Sequence, residues 1–271
     1  MKITAIQSAL RILYPARCLI CGEIVESDFG LCAPCLGDMP FLDGLACDCC
    51  GAPLIGVSFD WAETCDDCLA QPRPWAKGRA ALLYQGSARK LVLGLKHGDR
   101  TDVVRPAARW LLSCCEDILT EDSLFVAVPL HWRRQLKRRY NQSSLLAYEM
   151  AKLGHYGFLD GALRRVISTK PLENVTTEER TIILSGAIEV PRRMQDQLSG
   201  RSVVIVDDVM TSGATLCACT DVLLGAGCAR VDVAVLARAV GNVSPVRPRK
   251  CLKLKFILAR PVGFAIWPNG C

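Results

Sequence analysis

Four short runs along the chain are apolar at nearly every position, and the stretches between them carry apolar residues at helical spacing. The clearest run, Ser202-Val203-Val204-Ile205-Val206, is β-branched and uninterrupted, as expected of a strand buried on both faces of a parallel sheet. Similar runs lie at 79–84, 124–129 and 231–236. Leu216 to Ala226 predicts a helix closed by Gly225 and Gly227, and Tyr140-Asn141-Gln142 opens another that continues through Leu145, Leu146, Tyr148, Glu149 and Met150. At the amino end Ile3, Ile6, Leu10 and Leu13 mark a short amphipathic helix ahead of Pro15. Strand runs separated by helices predict an α/β fold, a mainly parallel sheet with flanking helices, whose ligand sits beyond the carboxyl ends of its strands.

Composition bounds the class. At roughly 150 residues per domain, 271 residues hold one large core and a smaller module. With 51% hydrophobic and 22% charged residues, the chain has the balance of a folded protein. No apolar run approaches the roughly 18 residues needed to span a bilayer, so the expectation is a cytoplasmic protein without a membrane span. The net charge of +6 resides entirely in residues 241–271, where Arg247, Arg249, Lys250, Lys253, Lys255 and Arg260 stand without an acid. That tail reads either as a solvated extension or as a contact to nucleic acid, and it lacks aromatics at stacking intervals.

Nine of the sixteen cysteines lie between Cys18 and Cys68. Eight of them form Cys-x2-Cys pairs: Cys18/Cys21, Cys32/Cys35, Cys47/Cys50 and Cys65/Cys68. Each pair presents two thiolates from one tight turn, and two pairs close a tetrahedron around zinc at about 2.3 Å. Four pairs predict two zinc ions, structural because sulfur fills every position. The spacing alone also admits a disulfide framework, which the lack of an export signal argues against. Sequential pairing is the simplest connectivity, with an interleaved one still open, and Cys49 is left over. These spacings predict a double zinc-ribbon module at 14–72, a linker through Gln71-Pro72-Arg73-Pro74, a main domain at 75–240 and the basic tail at 241–271.

The strand at 203–206 ends in Asp207 and Asp208, followed by Val209, Met210, Thr211, Ser212, Gly213, Ala214 and Thr215 and then a helix. Consecutive backbone N–H groups and small hydroxyls at a helix start can wrap a phosphate, and a glycine lets the backbone come close. Two adjacent carboxylates can accept hydrogen bonds from two neighbouring ribose hydroxyls. A diol and a phosphate on one small molecule describe a ribose 5-phosphate. No Walker-type Gly-x4-Gly-Lys-Ser/Thr sequence is present. After the run at 124–130 comes an acid-free segment with Arg133, Arg134, Lys137, Arg138 and Arg139, which is either a solvated face or a cradle for a diphosphate. Lys96, before His97-Gly98-Asp99, is a further candidate.

Val203 to Thr215, reading VVIVDDVMTSGAT, resembles the phosphoribosyl-diphosphate (PRPP) signature of type I phosphoribosyltransferases. Together with the cysteine pairs, Leu95-Lys96-His97-Gly98-Asp99 and the Pro129-Leu130 to Asn141-Gln142 stretch, it is similar to the ComF (competence protein F) family over roughly residues 10 to 240. That resemblance implies a double zinc ribbon joined to a phosphoribosyltransferase-like domain, and an association with uptake or use of external DNA and its machinery. The chain departs from the family pattern where Arg139 replaces a glycine, and at Leu172 and Ile183, which replace a glutamine and an asparagine. Arg165, Thr169 and Arg180 keep the expected polar character.

Two functions follow. As an enzyme, the protein would displace diphosphate from C1 of PRPP, with magnesium and the basic segment neutralising the leaving group. Asp207 and Asp208 would act as the catalytic pair that orients the sugar, 209–215 would hold the 5-phosphate, and Arg138 and Arg139 would face the diphosphate. As a binding module, it would sense PRPP or a nucleotide through the same pocket while the ribbons engage a DNA-uptake partner. If Arg138 and Arg139 face the diphosphate, replacing both with Ala weakens PRPP far more than ribose 5-phosphate. The titrations belong near 0.15 M salt, where screening over about 8 Å removes remote effects. Equal losses for the two ligands would assign the basic run to a solvated face.

Overall fold

The computed structural model describes residues 14–26, 30–56, 62–98, 100–130, 140–166 and 186–241. Five strands form one parallel sheet: β1 (Gly78–Leu83), β2 (Leu124–Ala127), β3 (Gly157–Phe158), β6 (Ser202–Met210) and β7 (Arg230–Arg238), in the order β1-β7-β6-β2-β3. Each apolar run of the sequence is one of these strands, but β6 extends past its run at the carboxyl end and β7 at both ends. In particular β6 continues through Met210, so Asp207 and Asp208 lie inside its last turn of pleat rather than after it.

One face of the sheet is covered by α3 (Gly86–His97), α4 (Val104–Cys114) and α5 (Gln142–Gly154), whose Leu91, Leu95, Leu111, Leu146 and Met150 pack on Val204, Val206 and Leu236. The apolar positions of these helices recur at three- and four-residue intervals, which places them on one stripe. The other face is covered by α6 (Arg192–Leu198) and α7 (Ala214–Gly225), with Leu198, Leu216 and Leu223 on Val203, Ile205 and Val233. A two-stranded antiparallel pair, β4 (Arg164–Arg165) and β5 (Ile188–Glu189), stands beside this second face.

The chain leaves β6 through α7 toward β7 on one side, and leaves β2 through α5 toward β3 on the other. Neighbouring strands whose connections diverge in this way open a crevice at their carboxyl ends, where open α/β sheets bind ligands. The acidic pair sits on the rim of that crevice.

The cysteine-rich segment, which contains α1 (Ala33–Gly37) and α2 (Asp66–Ala70), packs directly on the sheet. Leu42 N–H donates to the Ala81 carbonyl at 3.0 Å and Leu83 N–H to that of Pro40 at 2.8 Å, so residues 40–42 pair with the otherwise open edge of β1. Gly51, directly after Cys50, has φ 68°, and a Cβ there would meet Ala80 N at 2.8 Å. Gly22, directly after Cys21, has φ 80° but open space around its Cα. Gly51→Ala is therefore expected to cost about 3 kcal/mol, a left-handed penalty plus an overlap with backbone, against about 1 kcal/mol for Gly22→Ala. Urea unfolding of the two variants measures this, and equal costs would mean that the segment does not press on β1.

Candidate functional site

The eight paired cysteines form two clusters, Cys18/Cys21/Cys32/Cys35 and Cys47/Cys50/Cys65/Cys68, each with all sulfurs within 4.8 Å of one another. The pairing is thus sequential. Edges such as Cys21 Sγ to Cys32 Sγ at 3.5 Å and Cys50 Sγ to Cys65 Sγ at 3.6 Å approach the roughly 3.8 Å spacing that four sulfurs have around zinc. One thiol in each cluster is shifted down, Cys47 and Cys18, while Cys21, Cys35, Cys50 and Cys68 are shifted up. A hydrogen bond from the Cys50 thiol, against burial and with help from the Cys65 N–H at 3.3 Å, lowers Cys47 to about 4. Burial opposes ionisation of Cys18, yet the N–H groups of Cys21, Cys32 and Ile20 bring it down to about 6. Such donors favour the metal-binding form of a thiol. Cys49 belongs to neither cluster, and its carbonyl accepts the Trp75 indole N–H at 2.5 Å. Cys114, Cys115, Cys217, Cys219 and Cys228 are buried or half-buried.

At the crevice, Asp208 is buried and pairs with Lys96 of α3, Nζ to Oδ1 at 2.9 Å. Asp207 accepts a hydrogen bond from the Ser143 hydroxyl at 2.8 Å and from the Asp208 N–H at 2.8 Å. Ser143 is placed by Asn141, which caps α5 by accepting from the Ser143 N–H and donates its own amide to the Val128 carbonyl at 2.9 Å. Tyr140 donates to the Leu95 carbonyl at 2.9 Å, so the Leu95–Gly98 and Tyr140–Gln142 stretches meet beside the acidic pair.

Past the strand, Gly213 takes φ 81° and starts α7. Its Cα faces the Trp75 ring and the Arg73 guanidinium, which a Cβ would meet at 3.2 and 3.4 Å. A left-handed conformation and close packing both require glycine here. Arg73 donates to the Ser212 carbonyl at 2.9 Å, and the buried Arg238 donates to those of Thr211 at 2.7 Å and Met210 at 3.2 Å. Met210 is buried in the core, so only its backbone is available to the crevice.

Lys96, Asp207, Asp208 and 211–215 are therefore brought to one strand end. Arg138, Arg139, Asp99, Thr169, Leu172, Arg180 and Ile183 lie outside the described residues, as do residues 1–13 and the basic tail from 242. Sequence reasoning missed Ser143, Arg73 and Arg238. A hydroxyl two positions into a capped helix was a usable signal for the first. The two arginines stand in a linker and at a strand end, with no local pattern to mark them.

Residues 9–69 match the double zinc ribbon domain and residues 146–260 the phosphoribosyl transferase domain. The DNA utilization protein YhgH of Salmonella typhimurium is 30% identical over 234 residues, 83% of this chain and 98% of that protein. Competence protein F of Haemophilus influenzae is 28% identical over 232 residues, 82% of this chain and 97% of that protein. Among solved structures, a hypoxanthine phosphoribosyltransferase from Staphylococcus aureus covers 55% of this chain and 70% of its own at 12% identity, with a TM-score of 0.31 that carries no argument. A parallel sheet of this topology behind two sulfur clusters is the architecture of a phosphoribosyltransferase-like protein with a double zinc ribbon. The chain belongs to the family of DNA utilization protein YhgH and competence protein F. Among the described residues no helix is long and apolar enough to cross a membrane.

Burial first, then the Asp208 charge, raise Asp207 from its ordinary 3.8 to about 7, against the opposing pull of Lys96 and Ser143. The folded protein then keeps a proton that the unfolded chain releases between about pH 4 and 7. The stabilisation from this group is full below about pH 4 and is lost as pH rises toward 7. Asp207→Asn is expected to remove that slope, read as a stability difference from the parent protein that changes between about pH 5 and 7.5 in urea titrations. A constant difference would mean that Asp207 ionises as an ordinary carboxylate.

Proposed function

We propose that the crevice between β6 and β2 binds PRPP and that the protein transfers its ribose 5-phosphate to a nitrogen nucleophile, releasing diphosphate. The observation that carries this reading is the placement, at one strand end on the sheet's switch point, of two carboxylates followed directly by a left-handed glycine and a helix start. The match of 146–260 to the phosphoribosyl transferase domain supports it.

Asp207 and Asp208 accept the two ribose hydroxyls. Asp208 is oriented for this by Lys96, and Asp207 by the Ser143 hydroxyl. The amides and hydroxyls of 211–215 take the 5-phosphate at the positive end of α7. Arg138 and Arg139 are assigned to the diphosphate. The bond from C1 to the diphosphate oxygen breaks with its electron pair going to diphosphate, and the nucleophile's lone pair forms the new bond to C1. Positive charge developing on the sugar ring is stabilised by the adjacent carboxylates. The hard oxygen donors of the acidic pair fit magnesium arriving with the substrate, which when bound supplies charge neutralisation to the leaving group.

Each sulfur cluster is assigned one structural zinc, because four thiolates leave no position for a reacting water. Residues 14–72 then serve as the ribbon module and 75–240 as the transferase-like domain, in a cytoplasmic protein. The relatives' names, DNA utilization protein and competence protein F, suggest a role in the use of external DNA and contact with its machinery.

Titration calorimetry with PRPP and magnesium tests the site. Asp208→Asn is expected to weaken PRPP about tenfold or more, the factor that corresponds to one charge-assisted contact of about 1.5 kcal/mol. Unchanged affinity would remove the acidic pair from the site. Diphosphate release with a panel of bases tests transfer, and tight binding without release would make the protein a PRPP-binding module.

A further inference from the structure

The two arginines that hold the phosphate loop also touch the second sulfur cluster. Arg73 Nε lies 3.5 Å from Cys68 Sγ while its Nη1 donates to the Ser212 carbonyl at 2.9 Å. Arg238 Nη2 lies 3.9 Å from Cys50 Sγ while its Nη1 donates to the Thr211 and Met210 carbonyls. Trp75 adds a third link, since its ring lies against Gly213, its indole N–H donates to the Cys49 carbonyl, and Arg73 stacks over it at 5.7 Å. The first cluster has a different neighbourhood: Arg100 donates to the Leu19 carbonyl, and Leu19 belongs to the core on the opposite face of the sheet.

We propose that Arg73 and Arg238 are positioning residues that couple the metal in the Cys47/Cys50/Cys65/Cys68 cluster to the shape of the phosphate loop. The idea rests on the PRPP reading for what the loop binds, and on the geometry alone for the coupling. In a trans peptide the carbonyl of one residue and the N–H of the next point in opposite directions. Anchoring the carbonyls of Met210, Thr211 and Ser212 on guanidinium groups therefore turns the N–H groups of Thr211, Ser212 and Gly213 away from the arginines. Three consecutive amides with a shared direction form an anion-binding concavity.

The anchor depends on the metal. Four thiolates around one dication leave an excess of negative charge, which planar guanidinium forks offset through N–H···S contacts. With the metal in place each fork is fixed at both ends. When the metal leaves, the sulfurs spread and the forks lose the partners that orient them. Arg238 is buried at 3% exposure, so it cannot turn to water in compensation. By thermodynamic reciprocity, a phosphate in the loop must in turn hold the second metal more tightly.

The test uses the full chain loaded with zinc, ribose 5-phosphate as probe, and the variants Arg73→Met, Cys65→Ser and Cys21→Ser. Hydrogen exchange is read at Cys217 and Ala239, whose amides donate to the loop carbonyls of Gly213 and Met210. Arg73→Met is expected to keep both zinc ions by elemental analysis yet speed exchange at these two amides and weaken ribose 5-phosphate, each by about tenfold, the equivalent of one charge-assisted hydrogen bond. Cys65→Ser is expected to do the same through loss of the second zinc, and to loosen these amides more than Cys21→Ser does. In the parent protein, ribose 5-phosphate is expected to slow release of one of the two zinc ions to a chromophoric chelator, and Arg73→Met to abolish that protection. Unchanged exchange in Arg73→Met, or equal loosening by Cys21→Ser and Cys65→Ser, would overturn the coupling. If ribose 5-phosphate does not bind the parent protein, the PRPP reading fails, and the exchange data still decide the coupling.

Discussion

Strand β6 is apolar on both faces for as long as helices cover it, and it becomes acidic where that cover ends. This constraint organises the molecule. Parallel pairing with β7 and β2 demands burial on both sides, so no polar side chain is tolerated from Val203 to Val206. The first positions where a carboxylate can stand are 207 and 208, on the rim of the crevice that the diverging connections of β6 and β2 open. There Asp208 pairs with Lys96 and Asp207 accepts a hydrogen bond from the Ser143 hydroxyl, so neither buried carboxyl is left without a partner.

The cysteine-rich segment obeys a different rule. In the fold it joins the sheet's cores: Leu19 and Met39 join one, while Cys47, Cys50 and Cys68 join the other. Sulfur clusters close its turns, and Gly51 lets one of those turns lie flat against β1. Arg73 of the Gln71-Pro72-Arg73-Pro74 linker and Trp75 just after it fill the space between the second cluster and Gly213. The segment thus covers a sheet edge, pairs with its backbone and contacts the loop at the end of β6.

Membership in the family of DNA utilization protein YhgH and competence protein F fits a chain in which the two halves are packed as one unit through residue 241. These relatives are matched over nearly their whole length.

The sequence by itself determined the local chemistry: four knuckles, an α/β alternation, an acidic pair closing a buried apolar run, and a glycine-containing turn into a helix. Each of these is written in spacing over a few residues, where sterics and hydrogen bonding act without knowledge of the fold. The tertiary structure decided which knuckles share a cluster, which carboxylate takes Lys96 and which Ser143, how far β6 runs, and that Arg73 and Arg238 clasp the loop. Arg73 and Ser212 are 139 positions apart and Arg238 and Cys50 are 188 apart, so no periodicity could have paired them. Such contacts arise only when the sheet brings β1, β7 and the end of β6 side by side, because a guanidinium has no preferred partner until burial removes water from the competition.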